Sequence, residues 1–314
     1  MSQYCAFISQ LPKEEQQRWL DKLNAKLTHI TLVNFCELST IEKQACTIAV
    51  VANPNPKDLM DLPKLVWVQS LWAGVERLVA ELGQPSFAIS RLVDPMLAST
   101  MSEAVLAWTL YLHRGMPNYL AQQKKAIWQQ LAYKRASERH VGILGLGELG
   151  QCSAQVLVKN GFKVSGWSYT QKTIVGVECL FSPKGLDKLV AQADIIVCLL
   201  PLTTDTRALI NGEFLAKMKQ GASMINFARG AIINHKNLIE KLNDRHIEHA
   251  VLDVFEHEPL DKNSELWQHP NITILPHISA PTHLESASHI VAQRINDFVS
   301  TGKLPPCIDV TKGY

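Results

Sequence analysis

From residue 140 onward the chain alternates short apolar runs with amphipathic stretches, and this rhythm constrains its fold more than any other feature. The runs are "VGIL" (141–144), "FKVSGW" (162–167), "DIIVCLL" (194–200), "ASMINF" (222–227), "HAVLDVF" (249–255) and "ITILPHI" (272–278). Runs this apolar fit strands covered on both faces, as in a parallel sheet whose crossovers are helices. "EFLAKMK" and "HKNLIEKLND" supply helix-like stretches between them. Residues 4–90 repeat the rhythm more faintly, in "YCAFIS" (4–9), "HITLVNF" (29–35), "CTIAVVA" (46–52), "LVWVQS" (65–70) and "FAIS" (87–90). A smaller α/β domain therefore comes first, and 314 residues suffice for two cores. Between the two, residues 99–128 begin with Ser99 and Thr100 shortly before Glu103 and continue with apolar residues at helical spacing. That pattern predicts a long domain-linking helix and a dimer face. Residues 283–302 predict one more helix, followed by a Pro-bearing tail expected to rejoin the first domain.

Composition narrows the function classes. The net charge of +2 arises from 31 basic and 29 acidic side chains scattered along the chain, with no stripe or tail for nucleic acid or an anionic membrane. Seven cysteines, none at C-x-x-C spacing, are expected mostly as small core residues in a reducing compartment. "MSQYCAFISQLPKEEQQ" lacks a basic region leading into a long apolar stretch, and no segment approaches about 18 uninterrupted apolar residues. A cytoplasmic location is the expectation. No metal is expected either: His257 and His283 stand at no metal-ligand spacing and are read as surface residues.

The stretch "HVGILGLGELGQ" (140–151) carries G-x-G-x-x-G at Gly145, Gly147 and Gly150, after an apolar strand and before a helix-compatible segment. In that context Gly145 allows the tight turn, Gly147 lets the backbone approach a pyrophosphate, and Gly150 lets helix and sheet pack closely. Downstream, Arg229 in "NFARG", Glu258 in "DVFEHEPL" and His277 in "LPHISA" each follow a predicted strand. Strand carboxyl ends form the ligand crevice of such sheets. The trio suits a keto acid: a guanidinium holds carboxylate and carbonyl oxygens, an imidazole passes the proton that accompanies hydride transfer, and a carboxylate orients the ring and favours the imidazolium.

These stretches, together with "QSLWAGVERLV" (69–79), "LLPLTTDTRALIN" (199–211), "INFARGAIIN" (225–234), "AVLDVFEHEPL" (250–260), "LWQHPNITILPHISA" (266–280) and the terminal "KGY", resemble the D-isomer-specific 2-hydroxyacid dehydrogenase family, within it the glyoxylate/hydroxypyruvate reductase A group. The resemblance implies two Rossmann-like doubly wound parallel-sheet domains. The cofactor domain (99–284) would be inserted into the substrate domain (1–98 plus 285–314), with a cleft that closes on substrate and dimers formed through the cofactor domains. It implies His277 as general acid, Glu258 as its partner and Arg229 on the substrate oxygens. Main-chain N–H groups of Trp72, Ala73, Gly74 and Val75 would bind the substrate carboxylate, although Trp72 is equally readable as core. On the cofactor it implies Gly145, Gly147, Glu148, Leu149 and Gly150 at the pyrophosphate turn, with Leu200, Pro201 and Ala228 at later strand ends. Asp253 would meet the nicotinamide carboxamide, and Met101 would approach the ring or merely fill a gap.

Cofactor preference turns on "GWSYTQK" (166–172). An acid for the free ribose hydroxyls is expected about 20 residues after the glycine turn, and none is there. The reductase A group carries Trp-Ser-Arg-x-Arg-Lys at this place, whereas here Tyr169 and Gln171 replace the arginines. Ser168, Tyr169 and Lys172 remain to hold a 2′-phosphate, without a bidentate guanidinium. The expected cofactor is NADPH or NADH, tilted toward NADPH. A second departure, Ala52 where the group tends to an aromatic pocket residue, predicts a roomier pocket. The expected activity is reduction of small 2-keto acids such as glyoxylate or hydroxypyruvate. The rival expectations are a D-lactate-like or phosphoglycerate-like dehydrogenase on the same scaffold, and a non-enzymatic dinucleotide-sensing binding protein.

Overall fold

In the computed structural model, residues 4–310 are described, and the terminal "KGY" lies outside them. Contacts divide the chain into Met1–Met96 with Thr282–Tyr314, and Leu97–Pro281, so the second unit interrupts the first along the sequence. The first unit holds β1 (Tyr4–Ser9), β2 (Thr31–Asn34), β3 (Ile48–Ala52), β4 (Trp67–Ser70) and β5 (Ala88–Ser90) in a parallel sheet of order β2-β1-β3-β4-β5. The second holds β6 (His140–Leu144), β7 (Lys163–Trp167), β8 (Val177–Leu180), β9 (Ile195–Cys198), β10 (Ala222–Asn226), β11 (Ile247–Leu252) and β12 (Ile272–Ile274), parallel and ordered β12-β11-β10-β9-β6-β7-β8. Both are doubly wound Rossmann-like sheets.

Successive side chains of these strands enter different cores, as a two-residue period demands. In β9, Ile196 and Cys198 pack with Leu144, Met224 and Leu252, while Ile195 and Val197 pack with Val141, Ile143, Ile225 and Val251. β1 and β3 behave alike in the first unit, with Phe7 and Val50 on one face and Ile8 and Val51 on the other. Both faces are covered, which is why the strands read as nearly continuous apolar runs.

Several expectations need correction. The long helix begins at Pro95, where the carboxylate of Asp94 accepts the N–H of Met96 at 2.8 Å, and it ends at His113. Gly115, at φ 65°, breaks it, and a second helix occupies Met116–Lys124 only. β8 carries no apolar run because it is a half-exposed edge strand whose Glu178 pairs with Lys188. Only Cys5, Cys46 and Cys198 are buried. Ala52 packs in the first unit's core with no exposed surface, so it lines no pocket and its small size does not imply a roomier one. The C-terminal tail returns to β5 through Ile308 N–H to Ile89 O at 2.8 Å and Ser90 Oγ–H to Pro306 O at 2.9 Å. Among the described residues, no helix is long and apolar enough to cross a membrane.

Candidate active site

The chain runs β6, β7, β8 toward one edge of the second sheet and then returns to β9 beside β6. That reversal opens a crevice at the carboxyl ends of β6 and β9. The glycine turn lies there. Gly145 has φ 101°, and a Cβ on it would stand 2.8 Å from the carbonyl oxygen of Leu199. On Gly150 a Cβ would stand 1.8 Å from the carbonyl oxygen of Gly145, so the helix Glu148–Lys159 starts in direct backbone contact with the turn. Gly147 is different: it is exposed, and a Cβ there meets nothing within 4 Å. The helix start has no side-chain cap, leaving first-turn amides beside open space. These features fit a dinucleotide pyrophosphate, with Gly147, Glu148 and Leu149 at the helix mouth. Leu200 and Ala228 are buried in the core, so only their main chain is available to a ligand.

Beyond β7, Trp167 is buried and its indole N–H donates to the carbonyl of Ser182 at 2.8 Å. This anchors the turn that follows. Tyr169 lies tilted on that indole, 4.9 Å between ring centroids, and Ser168 Oγ–H donates to the carbonyl of Thr170 at 2.7 Å. Tyr169 and Lys172 are exposed.

Three loops of the same unit bring Arg229, Glu258 and His277 together. The imidazole Nδ1 of His277 lies 2.7 Å from Oε2 of Glu258, whose Oε1 accepts the N–H of Phe255 at 2.9 Å. His277 sits at φ 56°, a left-handed conformation that costs energy for a side chain of this kind. What holds it there is Asp253, which is 1% exposed. Its carbonyl accepts the N–H of His277 at 2.9 Å, and its carboxylate accepts those of Ile278 and Ser279 at 2.8 and 2.9 Å. Asp253→Asn would turn an NH₂ toward one of these N–H groups. A loss of about 1–3 kcal/mol in unfolding free energy is expected, read in a urea melt, together with reduced turnover.

The electrostatics follow from the geometry. The hydrogen bond to Glu258 raises the His277 pKa above its ordinary value, against burial and the positive charge of Arg229. Burial would raise that of Glu258, but the bonds from His277 and Phe255, with the charges of His277 and Arg229, hold it lower than usual. Arg229 leaves β10 in a loop braced by Asn226, which is fully buried. Its amide nitrogen donates to Arg229 O at 3.0 Å, and its Oδ1 accepts the N–H of Ala228 at 3.1 Å. Gly230 packs so tightly that a Cβ would stand 2.0 Å from the carbonyl carbon of Phe255. Asn226, Gly230 and the main chain of Phe255 were not singled out by the sequence analysis; the Arg-Gly pair in "NFARG" was the available signal.

In the first unit, residues 71–75 connect β4 to the helix Glu76–Leu82, which begins at Val75 without a side-chain cap. Trp72 packs edge-on against Trp19, 6.2 Å between centroids, and belongs largely to the core. Its N–H donates to Ser70 Oγ at 3.0 Å. That amide is therefore spent within the loop. Met101 is buried in the second unit's core. Among the described residues, no group of three or more His, Cys, Asp or Glu side chains is placed to hold a metal ion.

The family model of the D-isomer-specific 2-hydroxyacid dehydrogenase NAD-binding domain matches residues 106–279. The chain belongs to this family. It is therefore an oxidoreductase whose cofactor is NADPH or NADH. Among curated relatives, glyoxylate/hydroxypyruvate reductase A of Citrobacter koseri is 32% identical over 298 residues, covering 93% of this chain and 95% of that one. A 2-hydroxyacid dehydrogenase of Xanthobacter autotrophicus, solved with NADPH and MES, is 32% identical over 100% of both chains with a TM-score of 0.92. The NADPH-dependent glyoxylate/hydroxypyruvate reductase of Sinorhizobium meliloti, solved with NADP and sulfate, is 31% identical over 99% of each chain with a TM-score of 0.89.

Proposed function

We propose that this dehydrogenase reduces small 2-keto acids, glyoxylate and hydroxypyruvate first among them, to 2-hydroxy acids, with His277 as general acid. The observation that carries the reading is the His277–Glu258 hydrogen bond of 2.7 Å, on a turn locked by Asp253 and within the field of Arg229. With Nδ1 facing Glu258, the ring presents Nε2 to the carbonyl oxygen. A dinucleotide held at the turn of Gly145, Gly147 and Gly150 would supply hydride for the carbonyl carbon. Nε2–H donates its proton to the oxygen as negative charge develops there, and Glu258 stabilises the imidazolium beforehand. Arg229 holds the carbonyl and carboxylate oxygens through its planar fork. Ala73, Gly74 and Val75 offer main-chain N–H groups to the carboxylate.

On this reading Met1–Met96 with Thr282–Tyr314 is the substrate domain, and Leu97–Pro281 the cofactor domain. The exposed apolar side chains of Leu110, Leu120 and Trp128 support a homodimer through the cofactor domain; a monomer by sedimentation would remove that part. NADPH is the preferred cofactor, through Ser168, Tyr169 and Lys172, by a modest margin because no arginine grips the phosphate. Steady-state kinetics with both nucleotides test this, and a more than tenfold advantage for NADH in kcat/KM would reverse it. In the same assay Arg229→Ala is expected to cut kcat/KM by about 10²-fold or more.

A further inference from the structure

Arg294 lies half-buried on the helix Leu284–Thr301 of the first unit. Its Nη1 donates to Gln69 Oε1 at 3.2 Å and to the carbonyl of Arg91 at 2.8 Å. These acceptors sit at the carboxyl ends of paired strands, since Gln69 is in β4 and Arg91 directly follows β5. Gln69 has no exposed surface, and its amide nitrogen donates to the carbonyls of Ser70 at 2.7 Å and Ser90 at 3.4 Å. A buried amide left with an unmet oxygen is costly, and Arg294 meets that oxygen.

The bonds continue into the loop. Ser70 Oγ accepts the N–H of Trp72 at 3.0 Å, and the carbonyl of Trp72 accepts the N–H of Leu92 at 2.9 Å. Residues 69–72, from which the amides of Ala73, Gly74 and Val75 project, are thus fastened to residues 90–92 by polar bonds. Arg294 is the side-chain cation in that lattice. No carboxylate pairs with it among the described residues, and the nearby charge of Arg91 has its own sign; burial first, then Arg91, lower its pKa, partly offset by Cys307. A half-buried cation of this kind is costly alone and is favoured by an anion held nearby.

We propose that Arg294 is the positioning residue of the substrate-carboxylate loop: without touching substrate, it sets how tightly the amides of Ala73–Val75 hold the carboxylate of a 2-keto acid. This rests on the assignment of that loop under the proposed function. The test is steady-state kinetics of Arg294→Met and Arg294→Lys with glyoxylate varied at saturating NADPH, beside fluorescence titration of NADPH and a thermal melt. Loss of two bonds and a charge is expected to raise the glyoxylate KM about tenfold or more in Arg294→Met, with kcat within about threefold and NADPH affinity unchanged. Arg294→Lys, which keeps the charge and one bond, is expected to return KM to about threefold above wild type. An unchanged KM in a folded, active Arg294→Met would overturn the proposal, as would loss of kcat and NADPH affinity together with KM. Should the Met variant not fold, Arg294→Gln, which also removes the charge, takes its place, and an unchanged glyoxylate KM in that variant would overturn the proposal equally. Absence of turnover in the wild-type chain would overturn the functional assignment and this proposal together.

Discussion

His277→Gln is expected to lower kcat for 2-keto acid reduction by about 10²–10⁴-fold while leaving NADPH affinity near wild type, because it removes the proposed proton donor and leaves the glycine turn intact. Glu258→Gln tests why the donor works. In the native chain the carboxylate raises the His277 pKa above the usual value of about 6.5. In the proposed mechanism reduction uses the protonated ring, so kcat/KM is expected to be level at low pH and to fall as pH rises through the raised pKa. Without the carboxylate the falling limb moves to lower pH, and a limb that stays in place would remove Glu258 as partner. The same pair bears on stability. The histidine's contribution is complete below its unfolded pKa and is lost as pH rises through the folded one. That of Glu258, whose pKa is depressed, is lost as pH falls through its folded value. Both side chains are too exposed for these contributions to be large.

Gly150→Ala carries the second large effect. Its methyl would stand 1.8 Å from the carbonyl oxygen of Gly145; the oxygen is backbone and the methyl is fixed to the helix backbone, so turn and helix must separate. Overpacking of this kind costs about 1–3 kcal/mol, and NADPH affinity is expected to fall about tenfold or more with a lowered melting temperature. Gly147→Ala gives the contrasting result. With nothing within 4 Å of the added methyl, the melting temperature should hold, while NADPH affinity falls because the methyl occupies the approach to the helix mouth. Equal losses of stability in the two variants would contradict this division of roles, which thermal melts and fluorescence titration measure side by side.

The sheets were legible in the sequence because both faces of each are covered, leaving runs such as "IIVCLL" (195–200) without a charged position. β8 escaped because an edge strand needs no such run and "VECL" carries a charged residue. The long helix was misplaced at both ends for local reasons. Asp94 and Pro95 start it ahead of Ser99, and the left-handed Gly115 divides it. Arg229, Glu258 and His277 stood out as polar residues at strand ends. Asp253 was visible only through resemblance, and its hold on the His277 turn depends on main-chain directions that no spacing reveals. Likewise Ala52 looked like a pocket position until its side chain proved to face the core. Gln69 and Arg294 are distant in sequence and meet only because the C-terminal helix packs on the first sheet.

The central claim is that this geometry passes a hydride and a proton to a 2-keto carbonyl, and NADPH oxidation by the purified wild-type chain with glyoxylate or hydroxypyruvate tests it most directly. Saturable oxidation that forms the 2-hydroxy acid in equal amount is the predicted result. Tight NADPH binding with no oxidation across a panel of 2-keto acids, pyruvate and phosphohydroxypyruvate included, would contradict it and favour a dinucleotide-sensing protein; oxidation with only pyruvate or only phosphohydroxypyruvate would keep the chemistry and replace the substrate.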